Sequence, residues 1–149
     1  MNDRPDTETE LRARALRLLA RREHSRAELE RKLGPHAGSP AVIAGVVEAL
    51  VRKKQLSDER YAEERVRSLS RKYGAARIRQ DLKARGVDAE TIDRVSSDGE
   101  LERARAILER KYRNPPATRE ERAKRMRFLQ GRGFSFDVIR NLLSSRDPD

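Results

Sequence analysis

An all-α fold, an elongated curved array of three tandem three-helix repeats, is what this 149-residue sequence predicts. Three observations predict it: self-similarity along the chain, helix-capping residues at regular intervals, and apolar residues spaced three and four apart. The segment Leu82-Lys-Ala-Arg-Gly86-Val87 through Val95 aligns without a gap with Leu129-Gln-Gly-Arg-Gly133-Phe134 through Leu142, at an offset of 47. Arg-Gly recurs at the same place in both. Upstream, Ser25 to Leu33 lies over Gly74 to Leu82 at an offset of 49, which makes three copies, the first the most divergent. A repeat of this period is the signature of stacked supersecondary units.

Capping residues divide each copy into helices, because the first amides of a helix need a side-chain acceptor. Thr7-x-x-Glu10, Ser25-x-x-Glu28 and Thr118-x-x-Glu121 fit capping boxes, and Ser39-Pro40 pairs a cap with proline at the first helical position. Ser57, Gly74, Asp88, Asp98 and Ser135 can start the remaining helices. Gly34, Gly86 and Gly133 each follow a Leu-bearing helix where a left-handed terminating residue is wanted. Leu11, Ala15 and Leu18, then Ala62, Val66, Leu69 and Tyr73, then Leu101, Ala104, Leu108 and Tyr112 form buried stripes of helical period. The sequence therefore predicts helices near 8–22, 25–33, 39–54, 57–71, 75–85, 88–96, 98–113, 118–131 and 135–145. No segment alternates with period two, so strands are not expected. The division expected is a disordered tail over 1–7 and repeats over 8–55, 56–97 and 98–149, the third broken after its first helix by Asn114-Pro115-Pro116.

Composition narrows the function. Residues are 36% hydrophobic, 4% aromatic and 40% charged, with no Trp, enough to fill seams between helices but not one broad core. Such polarity also approaches that of disordered chains, against which the regular Leu, Ile and Val spacing argues. With no Cys, disulfides, thiolate nucleophiles and Cys-based zinc sites are excluded. No apolar run approaches the roughly 20 residues of a membrane span, and Met1 to Glu10 is polar and acidic, so a cytoplasmic protein off the membrane is expected. His24 and His36 have no ligand cluster beside them, so no metal is expected, and His24 reads as a helix-junction residue. Neither a Walker-type loop nor a Ser–His–Asp order is present, so no catalytic residue and no cofactor is assigned. The net charge of +10 calls for a polyanionic partner, nucleic acid or a carboxylate-rich protein surface.

Four phrases resemble the RecX regulatory proteins: Leu19-Ala-Arg-Arg-Glu-His-Ser-Arg-Ala-Glu-Leu-Glu-Arg-Lys-Leu33; Leu56-Ser-Asp-Glu-Arg-Tyr-Ala62; Tyr73-Gly74 leading to Leu82-Lys-Ala-Arg-Gly86-Val87; and Arg127-Phe-Leu-Gln-Gly-Arg-Gly-Phe-Ser-Phe-Asp-Val-Ile139. They occur in order and span almost the whole chain; the charge-rich Met1 to Glu10 departs from the pattern. The resemblance implies a modest elongated protein that lies in the groove of the RecA filament on single-stranded DNA, bridges neighbouring subunits, and lowers ATP hydrolysis, strand exchange and filament extension; a monomer is expected.

The basic residues Arg65, Arg67, Arg71, Lys72, Arg77, Arg79, Lys83 and Arg85 surround a single acid, Asp81, and form the main candidate contact for phosphates or acidic protein groups. Lys124, Arg125, Arg127, Arg132 and Arg140 form a sparser second set. A solvated helix face is the bland alternative for both. Tyr61, Tyr73, Tyr112, Phe128, Phe134 and Phe136 could stack on bases, but Tyr73, Tyr112 and Phe134 occupy stripe positions and read as core. The competing function is nonspecific DNA binding. Helix-turn-helix groove reading is disfavoured, because the helix after Gly86 carries Asp88, Glu90 and Asp93, which repel phosphate.

Overall fold

The structure, a computed structural model, describes residues 4–143. Among these residues all regular structure is helical: α1 (Glu8–Arg21), α2 (Arg26–Leu33), α3 (Pro40–Arg52), α4 (Asp58–Leu69), α5 (Ala75–Ala84), α6 (Ala89–Asp93), α7 (Glu100–Lys111), α8 (Arg119–Gly131) and α9 (Phe136–Leu143). Every one of these helices except α7 begins on or beside the residue that the sequence nominates. Thr7 completes both arms of its box, accepting from the Glu10 amide at 3.1 Å while Glu10 accepts from the Thr7 amide at 2.9 Å. Ser39, Ser57, Asp88 and Ser135 accept from the amide three residues on. The expected end of the last helix, 144–145, lies outside the described residues.

Three expectations about helix ends are corrected. Gly34 is right-handed, with φ −48° and ψ −52°, and opens a 3-10 turn over Gly34–His36. Its lack of a Cβ serves the crowded position before Pro35 rather than a left-handed turn. The helix expected over 88–96 stops at Asp93: the Val95 carbonyl accepts from Arg79, and Ser96-Ser97-Asp98-Gly99 has turn chemistry. Asp98 consequently does not cap α7, whose preceding residue is Gly99 at φ 76°. Of the tail expected over 1–7, residues 1–3 lie outside the described residues. Residues 4–7 are held: Asp6 donates its amide to the His36 carbonyl at 2.8 Å and pairs with Arg14 at 2.8 Å, and Arg4 pairs with Glu10 at 2.7 Å.

The chain packs as two compact units that cut across the sequence copies. The first comprises the chain up to Glu64 together with Leu82–Ile92; the second comprises Arg65–Asp81 and the residues from Asp93 onward. In the first, α1, α2 and α3 pack mutually around Leu11, Leu29, Leu33, Val46 and Leu50, each at most 1% exposed. In the second, α7, α8 and α9 do the same around Ala104, Ile107, Leu129, Phe134 and Ile139.

Each unit also contains the same three-part clasp, made where the second helix of one copy starts. In the first unit the Ser25 hydroxyl donates to the Arg85 carbonyl at 2.9 Å, the Arg26 amide donates to the Asp58 carboxylate at 2.7 Å, and Gly86 lies against Ala27. In the second, the Gly74 amide donates to the Arg132 carbonyl at 2.7 Å, the Ala75 amide donates to the Glu100 carboxylate at 2.8 Å, and Gly133 lies against Arg77. The carboxylates satisfy helix amides that would otherwise be orphaned and sit at the positive end of the helix dipole. Both turn glycines are left-handed, φ 78° and 92°, and a Cβ on either would stand 2.4 Å from a side-chain carbon.

Two glycines of the first unit should therefore respond oppositely to alanine. Gly86→Ala combines strained backbone with collision against Ala27 and should cost at least about 2 kcal/mol. Gly45→Ala, in the interior of α3 with open space around it, should gain roughly 0.5–1 kcal/mol. Urea midpoints check both signs.

Candidate functional site

The basic residues nominated from sequence separate into distinct roles. Arg65 forms a two-point pair with Asp81, at 2.9 and 3.0 Å, so the one acid of that stretch is engaged by one of its cations. Arg77 donates to the Gly131 carbonyl at 2.8 Å and covers the Tyr73 ring at 4.5 Å. Arg79 ties the Val95 carbonyl to α5 at 2.7 Å. Lys83 and Arg85 are exposed, but they belong to the first unit whereas Arg65 to Arg79 belong to the second. Arg125 is withdrawn as a contact: it is 8% exposed, donates to the Asn114 carbonyl at 2.7 Å and stacks on Tyr112 at 4.3 Å, fixing the loop that Pro115 and Pro116 break. Arg67, Arg71, Lys72, Lys124 and Arg127 remain exposed.

Two of these, Arg71 and Lys72, join residues from other elements at a cleft of about 460 Å³ in the second unit, lined by Arg71, Lys72, Tyr73, Ile107, Arg110, Lys111, Phe128 and Arg132. It forms where three helices end, α4 at Leu69, α7 at Lys111 and α8 at Gly131. Carboxyl ends of helices expose unpaired carbonyls and partial negative charge, which draws cations. Arg110 donates to the Arg71 carbonyl at 2.7 Å and Arg132 to the Lys72 carbonyl at 3.3 Å. The rings are covered in turn: Arg132 lies 5.4 Å from the Tyr73 centroid and 5.0 Å from that of Phe128, and Lys111 lies 4.8 Å from Phe128. Tyr112 meets Phe128 edge-on at 6.1 Å, behind the cleft.

Arg110 and Lys111 escaped the sequence reading, although a signal was present. Arg-Lys-Tyr occurs twice, at 71–73 and at 110–112, closing the first helix of the second and third copies. Among the aromatics, Tyr61 and Phe134 are buried, Tyr73, Tyr112 and Phe128 are half-buried, and Phe136 is 63% exposed.

A second polar cluster lies at the α1–α2 junction. His24 is buried; its Nδ1 donates to the Arg22 carbonyl and its Nε2 accepts from Lys32, both at 3.1 Å. Burial pushes the imidazole below its ordinary value, the neighbouring cations Arg22 and Lys32 push the same way, and the Arg22 carbonyl and Glu28 oppose them. Burial alone would raise the Glu28 carboxyl, but Arg22, 2.5 Å away, outweighs it with help from His24 and Lys32, and the group is lowered to about 2. Among the described residues no group of three or more carboxylates and imidazoles could hold a metal ion, and no helix is long and apolar enough to cross a membrane.

A chain whose described residues form three tandem three-helix units, with a cationic cleft on the second compact unit, is a protein of the helical-repeat class. Family models described as the first, second and third three-helix domains of RecX match residues 12–50, 57–95 and 98–143. The chain belongs to the RecX family of regulatory proteins. It is 46% identical to the regulatory protein RecX of Leptothrix cholodnii over 93% of this chain and 90% of that one. It is 42% identical to that of Neisseria meningitidis over 89% and 88%. The crystal structure of RecX from Lactobacillus salivarius shares the fold at a TM-score of 0.81 and 22% identity, over 92% of this chain and 94% of that one.

The junction cluster fixes how stability should respond to acid. Because the His24 pKa is depressed by folding, the unfolded chain binds the extra proton, and stability is lost as pH falls below about 6.5. Glu28 adds a second loss between about 4.5, its ordinary value, and about 2. His24→Gln, which keeps a donor and an acceptor, should flatten the first decline and leave the second; urea midpoints at pH 7.5, 5.5 and 3.5 measure this.

Proposed function

We propose that the protein binds RecA and its filament on single-stranded DNA and negatively modulates ATP hydrolysis, strand exchange and filament extension in recombination and DNA repair. It would act in the cytoplasm as a monomer, without a cofactor of its own. The observation that carries this reading is membership of the RecX regulatory family along nearly the whole chain. The electrostatics agree with it: a net charge of +10 suits a partner rich in carboxylate or phosphate. Its contacts are assigned to Arg67, Arg71, Lys72, Lys124 and Arg127, the nominated cations of the second unit that are exposed and not engaged within the fold. Arg65, Arg77, Arg79 and Arg125 are engaged within the fold and would act only by holding it. Nonspecific DNA binding is the second reading, favoured by the cationic cleft.

RecA ATP hydrolysis on single-stranded DNA, measured with substoichiometric amounts of this protein, should be inhibited. Replacing all five exposed cations with Ala should lower potency at least about tenfold, since five exposed charge contacts at roughly 0.3 kcal/mol each exceed the 1.4 kcal/mol of one decade. Absence of inhibition by the unaltered protein would refute the RecA reading. Full potency of the five-fold variant would move the contact elsewhere.

A further inference from the structure

We infer that Asp98-Gly99, in the turn between α6 and α7, is a self-modification site: the pair closes to a succinimide, reopens as isoaspartate, and thereby loosens the clasp that Glu100 makes on the Ala75 amide. The isomerised chain is then a substrate for the class of enzymes that methylate isoaspartyl carboxyls. The reaction uses residues of the second unit alone and needs no partner.

The chemistry selects one place in the sequence. The amide nitrogen of the residue after an Asp attacks the Asp Cγ and a C–N bond forms. The carboxyl, protonated as it reacts, loses its hydroxyl, which leaves with the amide proton as water, and a five-membered imide results. Water then adds to one of the two imide carbonyls. Opening at Cγ restores Asp; opening at the main-chain carbonyl leaves a backbone that runs through Cγ, one methylene longer, with a free α-carboxyl. One water is released and one taken up, so the mass is unchanged and no oxidant is required. A Cβ on the following residue shields the attacking nitrogen, which makes glycine the reactive neighbour. Of the 8 glycines in the chain, Gly99 alone follows an Asp, and none follows an Asn.

The fold leaves that pair open to the reaction and promotes it. Both residues are exposed, and both lie after the end of α6 at Asp93 and before the start of α7 at Glu100, so no helix fixes the dihedrals that must turn to bring nitrogen and Cγ together. The amides on either side are engaged, that of Asp98 by the Ser96 hydroxyl at 2.9 Å and that of Glu100 by the Ser97 carbonyl at 3.2 Å, whereas among the described residues the Gly99 amide makes no hydrogen bond. Arg103 donates to the Asp98 carbonyl at 3.0 Å. A cation on that carbonyl draws electrons from the Gly99 nitrogen and eases loss of its proton, and the positive end of the α7 dipole acts in the same direction. The same contact polarises the imide carbonyl whose hydrolysis yields isoaspartate.

The guanidinium also joins the site to the clasp. A second nitrogen of Arg103 donates to Glu100 Oε1 at 2.8 Å, and that oxygen accepts from the Ala75 amide at 2.8 Å. Isomerisation lengthens the main chain directly before the first turn of α7 and places a new carboxylate beside Arg103, where it competes with Glu100. Glu100 is 6% exposed and two residues from the change, so its hold on Ala75 is the first contact to yield.

The test ages the full chain for weeks at neutral pH and digests it with trypsin, which isolates Val95–Arg103. Isoaspartyl methyltransferase with labelled S-adenosylmethionine marks the product. Label should gather in Val95–Arg103 above every other Asp-containing peptide, and at a rate no lower than in the free synthetic peptide of that sequence. Asp98→Glu, which would have to close a six-membered ring, should lose the label; Asp98→Asn, which expels ammonia in place of water, should convert faster. In the aged protein the Ala75 amide should gain a fast-exchanging fraction equal to the isoaspartyl fraction, while the Arg26 amide of the first clasp keeps its protection. Equal label in another Asp peptide, conversion slower in the fold than in the free peptide, or label retained by Asp98→Glu would overturn the site. Ala75 exchange unchanged by isomerisation would overturn its link to the clasp. Circular dichroism on the same variants shows that they are folded.

Discussion

The fold depends on an unpaired backbone problem and the way it is solved twice. The second helix of the first copy and the second helix of the middle copy both start with amides that no residue of their own helix can satisfy. In each case an acid from the first turn of the next copy accepts one amide, and the carbonyl of an Arg-Gly corner accepts from the residue at the cap. The glycine of that corner is left-handed and pressed onto the helix whose start is clasped. Because the partner comes from the next copy, the packed unit cannot coincide with the copy. The compact units take up the middle copy in pieces: α4 gives residues to both, and so does α5.

Those clasps explain which features could be read directly from sequence. Helix starts depend on local chemistry, a hydroxyl or carboxylate within four residues of the amide it serves, and Thr7, Ser25, Ser39, Ser57, Asp88, Thr118 and Ser135 were legible for that reason. The recurrence of Arg-Gly was legible too, and with it the left-handed turns at Gly86 and Gly133. What escaped was decided by partners distant in sequence. Asp58 and Glu100 look like ordinary first-turn acids, and nothing beside them shows that they reach the amides of Arg26 and Ala75. The five-residue length of α6 follows from Arg79 holding the Val95 carbonyl, a contact made across 16 residues.

The candidate site divides along the same line. A count of charges along 65–85 treats every Arg as equal, yet Arg65 is matched by Asp81, Arg77 and Arg79 are tied to carbonyls, and Arg125 of the other set is buried against Tyr112. Position relative to helix ends separates them better than density does. The cations that gather in one place are those near the carboxyl ends of α4, α7 and α8, where the backbone itself is negative. Arg110 and Arg132 among them donate to backbone carbonyls there, so they belong to the fold first.

The central claim is that the clasps close the two units, and amide hydrogen exchange of the native protein tests it most directly. The Gly74 and Ala75 amides should exchange only when the second unit opens as a whole, with the same opening free energy as the core amides of α8, and the Arg26 amide should behave likewise in the first unit. Exchange of these amides at the rate of exposed turns, while the cores stay protected, would contradict the account.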